Sequence, residues 1–275
     1  MENKDIIRVK NIEEKNENVP RSKQSANVLF KFMKELRFLK EILENKAIIP
    51  RYYEESIEYL KISELEKIVF PMVCFCDINV SRLKEHVQYY GKFGIGLNKK
   101  WGINKGIQCI NYINPESEIR KDFTYLFTKA FNQIDEDDSL VEYNSYLLNN
   151  LLFMKPLAGR MLRNNKYDKK NFTDEREWRY VPKIEDNDKI QLIIPPIFVG
   201  QLAVYNTYSD ALKKLKNLWL TFKYEDIEYL MVASKMDRKR LVDFIIENNN
   251  VCCSDAQKYE LISKIMVYNV ISKDW

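Results

Sequence analysis

Two carboxylates offer the most chemistry in this sequence. Glu175 and Glu177 stand in the segment Phe-Thr-Asp-Glu-Arg-Glu-Trp-Arg-Tyr, residues 172–180. On a β-strand, alternate residues share a face. Glu175, Glu177 and Arg179 would then point one way, and Arg176, Trp178 and Tyr180 the other. Carboxylates two residues apart on a strand lie about 7 Å apart. Such a pair can polarise a hydroxyl and hold a positively charged transition state. The plainer alternative is a solvated strand face on which Arg179 neutralises the acids.

A second feature is the run Tyr89-Tyr90-Gly91-Lys92-Phe93-Gly94-Ile95-Gly96-Leu97. As a strand, it puts Phe93, Ile95 and Leu97 on a buried face and leaves the Gly94/Gly96 face bare. Bare backbone admits a ligand or an aromatic ring, and both readings stay open. The spacing is not a dinucleotide fingerprint. Third, Phe75-Cys76-Asp77-Ile78-Asn79-Val80-Ser81-Arg82 reads as a strand leading into a helix capped by Asp77 or Asn79. Such a junction can hold an anion. Cys74 and Cys76 lack a second ligand pair, so a zinc site is not expected. His86 is the single histidine in the chain and falls among helical apolar residues, where a structural role is expected.

These groups need elements to position them. Helical spacing of Val28, Leu29, Phe32, Met33, Leu36, Leu39, Ile42 and Leu43 predicts a helix over 25–44. Ala47–Pro50 is extended, 69–76 is a buried strand, 80–90 is a helix stopped by Gly91, and 93–97 is a strand. Helices are expected over 116–133 and 139–154, separated by Asp135-Glu136-Asp137-Asp138. Residues 158–171 read as a polar, basic loop. Strand candidates follow at 176–182, 189–194, 196–200 and 227–233, with helices at 208–217, 237–248 and 254–270. Helices crowd the first half and short strands the second. Without regular alternation, an α+β fold with a short-stranded mixed or antiparallel sheet is preferred to a doubly wound one. Residues 1–24 form a polar arm, and 25–275 a single α+β domain.

Composition narrows the classes. Of 275 residues, 45% are hydrophobic and 31% charged, a globular balance. No stretch approaches the roughly 20 apolar residues of a membrane span. Five cysteines, thinly spread, read as reduced thiols in the cytoplasm. A net charge of +4 is too mild to imply nucleic acid by itself, although a phosphate-contacting surface needs only a few bases.

The residues Phe70-Pro71-Met72-Val73-Cys74-Phe75-Cys76-Asp77-Ile78, Ser81-Arg82-Leu83, His86, Tyr90-Gly91, Phe93 to Leu97 and Trp101-Gly102-Ile103 resemble the AbiGi family of abortive phage-infection proteins. The resemblance begins near Val28 and runs through Glu175–Arg179 to Asp226–Tyr229. It implies bacterial antiviral defence and an antitoxin paired with a nucleotidyltransferase-like toxin. A second similarity is to mono-ADP-ribosyltransferases, whose acid motif Glu175-Arg176-Glu177 looks like. It implies an effector that uses NAD as substrate and needs no metal. Glu177 would stabilise the oxocarbenium-like ribose centre and Glu175 would orient the acceptor. Arg51 would be the early basic residue, and Tyr52 or Tyr90 would stack on nicotinamide. Phe75 would stand in place of the Ser-Thr-Ser element, with Gly94, Gly96 and Arg179 completing the NAD-binding cleft. The alternative function is a non-catalytic antitoxin or sensor that binds a partner toxin or a phage component.

Overall fold

The computed structural model describes residues 24–63, 65–132, 141–163, 166–185, 189–252 and 254–274. The expected arm, 1–24, therefore lies outside the described residues except for Gln24. The first half contains β1 (Val28–Met33), α1 (Leu36–Asn45), β2 (Ala47–Ile48), β3 (Arg51–Ser56), β4 (Lys67–Cys76), α2 (Leu83–Tyr90), β5 (Phe93–Asn98), α3 (Lys99–Asn104), β6 (Gln108–Cys109) and β7 (Asn111–Ile113). Next come α4 (Glu118–Asn132), α5 (Val141–Leu152), β8 (Met154–Pro156), β9 (Ala158–Arg163), β10 (Lys166–Asn171) and β11 (Glu177–Tyr180). The last are α6 (Leu202–Leu212), β12 (Leu220–Thr221), β13 (Ile227–Val232), α7 (Lys235–Glu247), α8 (Asp255–Ser263), β14 (Ile265–Val267) and α9 (Tyr268–Ile271). The fold is α+β, as expected.

One mixed sheet dominates, in the order β14-β13-β5-β1-β4-β11-β6, with β3 also paired to β4. Among the described residues, only the β13–β14 pairing in it is parallel. Ten-residue β4 is nearly all apolar and buried, the pattern of a strand covered on both faces. On one face, Leu29, Val73, Phe75, Ile95, Leu97 and Leu230 pack with Leu39 and Leu43 of α1 and Leu241 and Ile245 of α7. On the other, Phe30, Phe32 and Cys76 meet Leu83 and Val87 of α2. Farther along β4, Ile68, Phe70 and Met72 pack against Phe123 of α4 and Leu147 and Leu151 of α5.

Several local expectations are corrected. Residues 28–33 form a strand rather than the start of a helix. Val28–Met33 is apolar on both faces except at Lys31, and all six residues pair with β5; tertiary pairing overrides the helical spacing. Strands are consequently not concentrated in the second half. The basic segment 158–171 is a hairpin, β9–β10, instead of a loop. Residues 189–194 and 196–200 are not strands. Pro195 and Pro196 remove backbone donors, and a 3-10 turn occupies Pro196–Phe198. The helix expected at 208–217 lies at Leu202–Leu212. The expected terminal helix breaks into α8, β14 and α9, because Ile265–Val267 adds to the sheet beside β13.

Candidate functional site

Glu175 and Glu177 do not occupy one continuous strand. Glu175 ends a 3-10 turn, Phe172–Glu175, and Arg176 adopts a left-handed backbone with φ of 42° before β11 begins at Glu177. Register then decides the environment. Glu177 pairs with Cys76 and Arg179 with Cys74, so both face the layer under α2 and α5. Trp178 and Tyr180 face the opposite core cluster. The charged face is therefore an interior one, and the solvated-face reading is corrected. Exposure is 3% for Glu175, 5% for Glu177 and 1% for Arg179.

Buried charge at this density requires partners. The Lys155 ammonium bridges the pair, at 3.0 Å from Glu175 Oε2 and 2.9 Å from Glu177 Oε2. Lys170 reaches Glu175 Oε1 at 2.5 Å, and the Tyr90 hydroxyl donates to the same oxygen. Arg179 Nε donates to Glu177 Oε1 at 3.0 Å, and its Nη1 donates to the Leu152 carbonyl at 2.6 Å. Glu55 stands 3.5 Å from Arg179 Nη2. The backbone N–H of Glu177 donates to the Tyr112 hydroxyl at 2.9 Å. Leu152 ends α5 and Lys155 lies in β8 shortly after it, so the network ties that helix to the sheet.

Electrostatics follow from this geometry. Burial opposes the charge on Glu177, but Arg179 and Lys155 outweigh it and hold its carboxyl well below the usual range. Glu175 is lowered in the same way, with Lys155 and Lys170 overcoming burial. Burial works against the Lys155 ammonium, yet Glu177, Glu55 and Glu175 drive its pKa well above normal. Burial, and then Glu175, push the Tyr90 hydroxyl upward. His86, 4.5 Å from the Tyr90 ring, is lowered to about 4 by burial. Beside Glu175 opens a cleft of about 620 Å³ lined by Arg82, His86, Tyr89, Lys169, Lys170 and Arg176, among others.

Of the expected NAD-site residues, Tyr90 and Arg179 join the carboxylate pair. Arg51, Tyr52 and Phe75 lie elsewhere. Arg51 hydrogen-bonds Asn206 of α6 at 3.1 Å. Tyr52 is buried on the opposite sheet face, where its N–H donates to Ser209 and its hydroxyl to the Gln191 carbonyl. Phe75 packs edge-on to Trp101 with ring centres 6.0 Å apart. Gly94 and Gly96 do share the face of Glu177, but Phe32 and Phe30 cover them. A Cβ at either position would come within 2.8 Å of those rings, so an aromatic fills the bare backbone. Asn79 stands at the N-cap of the 3-10 turn Val80–Arg82 that leads into α2, but its side chain makes no capping bond and its amide N–H donates to the Gln24 carbonyl. Asp77 binds Lys99 at 2.8 Å. Lys155, Lys170, Tyr112 and Glu55 escaped sequence reasoning, and no local pattern marks them. Among the described residues, no group of three or more His, Cys, Asp or Glu could hold a metal, and no helix is long and apolar enough to cross a membrane.

Fold and site define an α+β protein whose candidate centre is a buried, charge-paired carboxylate cluster beside a polar cleft. The family model described as "Putative abortive phage resistance protein AbiGi, antitoxin" matches residues 46–233. An "Abortive phage resistance protein AbiGi" from Lactococcus lactis subsp. cremoris is 37% identical over 249 residues, covering 83% of this chain and 100% of that protein. The chain belongs to the AbiGi family of abortive phage resistance proteins. No solved structure matches it.

Proposed function

We propose that this chain is the non-catalytic, antitoxin-type partner in an abortive-infection system, and that Glu175 and Glu177 anchor its fold. One observation carries the reading: all four carboxylate oxygens of the pair are already bound to Lys155, Lys170, Arg179 or Tyr90. An acid that stabilises a ribose cation must face developing positive charge. Lys155 and Arg179 occupy that position at Glu177. The separation of Arg51, Tyr52 and Phe75 from the pair, and the aromatic cover over Gly94 and Gly96, also favour binding over ADP-ribosyl transfer from NAD. The family description, antitoxin, agrees with a toxin partner. Exposed Ile119, Tyr125 and Leu126 on α4 and Tyr143 and Tyr146 on α5 supply apolar surface of the kind a partner covers.

The test has two arms. Co-expression with the product of the adjacent gene should give a complex and relieve that product's toxicity. Separately, incubation with labelled NAD and cell lysate should release no nicotinamide and transfer no label. Consumption of NAD by the wild type, abolished in a folded Glu177→Gln variant, would refute the binding reading in favour of the transferase.

A further inference from the structure

Among the described residues, the β9–β10 hairpin pairs with no third strand. Its segment 158–171 holds Arg160, Arg163, Lys166, Lys169 and Lys170 against the single acid Asp168, a net +4. That equals the net charge of the entire chain, so the remaining residues balance to zero.

Register sorts these residues by face. Met161 and Lys170 point inward, toward Tyr90 and Glu175. Arg160 pairs with Lys169, Leu162 with Tyr167, and Ala158 with Asn171. Members of each pair share a face, so the outer face presents Arg160, Lys169, Asn171 and Tyr167. All four are exposed, Tyr167 at 71%. Like charges directly opposite each other destabilise a ribbon. Arg160 and Lys169 form no ion pair among the described residues. By contrast, Lys121, Lys213 and Lys239 on helix surfaces are each paired with an acid one turn away. The basic stripe continues from Lys169 and Asn171 into the cleft, where Arg82, Arg176 and the rings of Tyr89 and His86 lie. Glu85 and Asp174 also line it.

We propose that the outer face of this hairpin and the adjoining cleft bind single-stranded nucleic acid. Arg160, Lys169, Arg82 and Arg176 contact the backbone, and Tyr167 stacks on a base. Cations set beside an exposed ring are the combination that holds an unpaired strand. A duplex conceals the base faces that Tyr167 would need. This inference is independent of whether the chain acts as an antitoxin.

Fluorescence anisotropy with labelled single-stranded RNA and DNA of about 20 nucleotides tests it, across roughly 50 to 200 mM salt. The wild type should bind, and more weakly as salt rises. Arg160→Glu/Lys169→Glu should weaken binding by roughly ten-fold or more and flatten the slope of log affinity against log salt by about 1.4, from two lost backbone contacts. Tyr167→Ala should weaken binding by roughly ten-fold with the salt slope unchanged. Lys213→Glu/Lys216→Glu, which changes charge equally on another surface, should bind as wild type. The proposal is overturned if the wild type fails to bind at the lowest salt, or if the hairpin and control double variants behave alike. It is also overturned if a duplex binds as tightly while Tyr167→Ala is silent, or if phosphatidylserine vesicles alone are bound. Melting temperatures of these surface variants should stay near wild type, which separates lost binding from lost folding.

Discussion

Replacing Lys155 with methionine probes the centre of this protein most directly. The side chains are similar in length, so the change removes one charge and little volume. Among the described residues, Lys155 is the single cation that touches both glutamates, at 3.0 and 2.9 Å, and its side chain is only 12% exposed. Removing one member of a buried ion pair costs about 3–5 kcal/mol. Here each glutamate retains another cation, Lys170 for Glu175 and Arg179 for Glu177. The lower end, about 3 kcal/mol, is therefore expected. For a chain of this size that lowers the melting temperature by about 6–12 °C. Urea titration and calorimetry at neutral pH measure it. Adding Glu177→Gln should restore part of the loss, because the carboxylate left partly uncompensated is then neutral. A coupling of at least about 1 kcal/mol between the two changes is expected. If Lys155→Met stays within about 0.5 kcal/mol of wild type, the network does not hold the fold, and the structural role of the glutamates is refuted.

Acid should destabilise the protein in two stages. His86 has its pKa lowered to about 4, against an ordinary value of about 6.5. It stays neutral in the fold but charges in the unfolded chain, so stability declines as pH falls from about 6.5 toward 4. The lowered pKa values of Glu175 and Glu177 contribute stability that is complete above their ordinary value of about 4.3 and lost as pH falls below it. Urea midpoints measured from pH 8 to 3 should show both stages, with the upper one missing in His86→Phe; a flat profile between pH 7 and 5 contradicts the assignment. Gly96→Ala would place a Cβ 2.8 Å from both Phe30 and Val28. Overpacking there should cost about 1–3 kcal/mol in chemical denaturation, and a neutral result would mean that the face can accept a ligand after all.

Much of this architecture was legible locally. The apolar run ending at Cys76 had to be buried as a strand. Gly91 marked the stop of α2, and its φ of +107° explains the requirement for glycine. Alternation around Trp178 located the short strand β11 to within a few residues. Val28–Met33 misled because its five apolar residues satisfy a helical stripe and a doubly covered strand alike; six-residue pairing with β5 selected the strand. Proteins keep charged residues out of the interior unless they are paired, and pairing across the chain leaves no local trace. Glu177 is therefore buried because β11 runs antiparallel to β4 in the one register that turns it under α2 and α5. Lys155 reaches it from a separate strand, and Lys170 reaches Glu175 from a hairpin.

The sequence by itself determined that Glu175 and Glu177 stand together beside an aromatic-backed strand, that the chain is α+β, and that it resembles AbiGi proteins. Only the tertiary structure decided which face of that strand is interior, and so whether the pair meets solvent, substrate or fixed cations. A shift of one residue in register would move Glu177 and Arg179 to the opposite face and bring Trp178 in their place. Local pattern specifies the alternation of side chains, whereas the packing of both sheet faces specifies its phase.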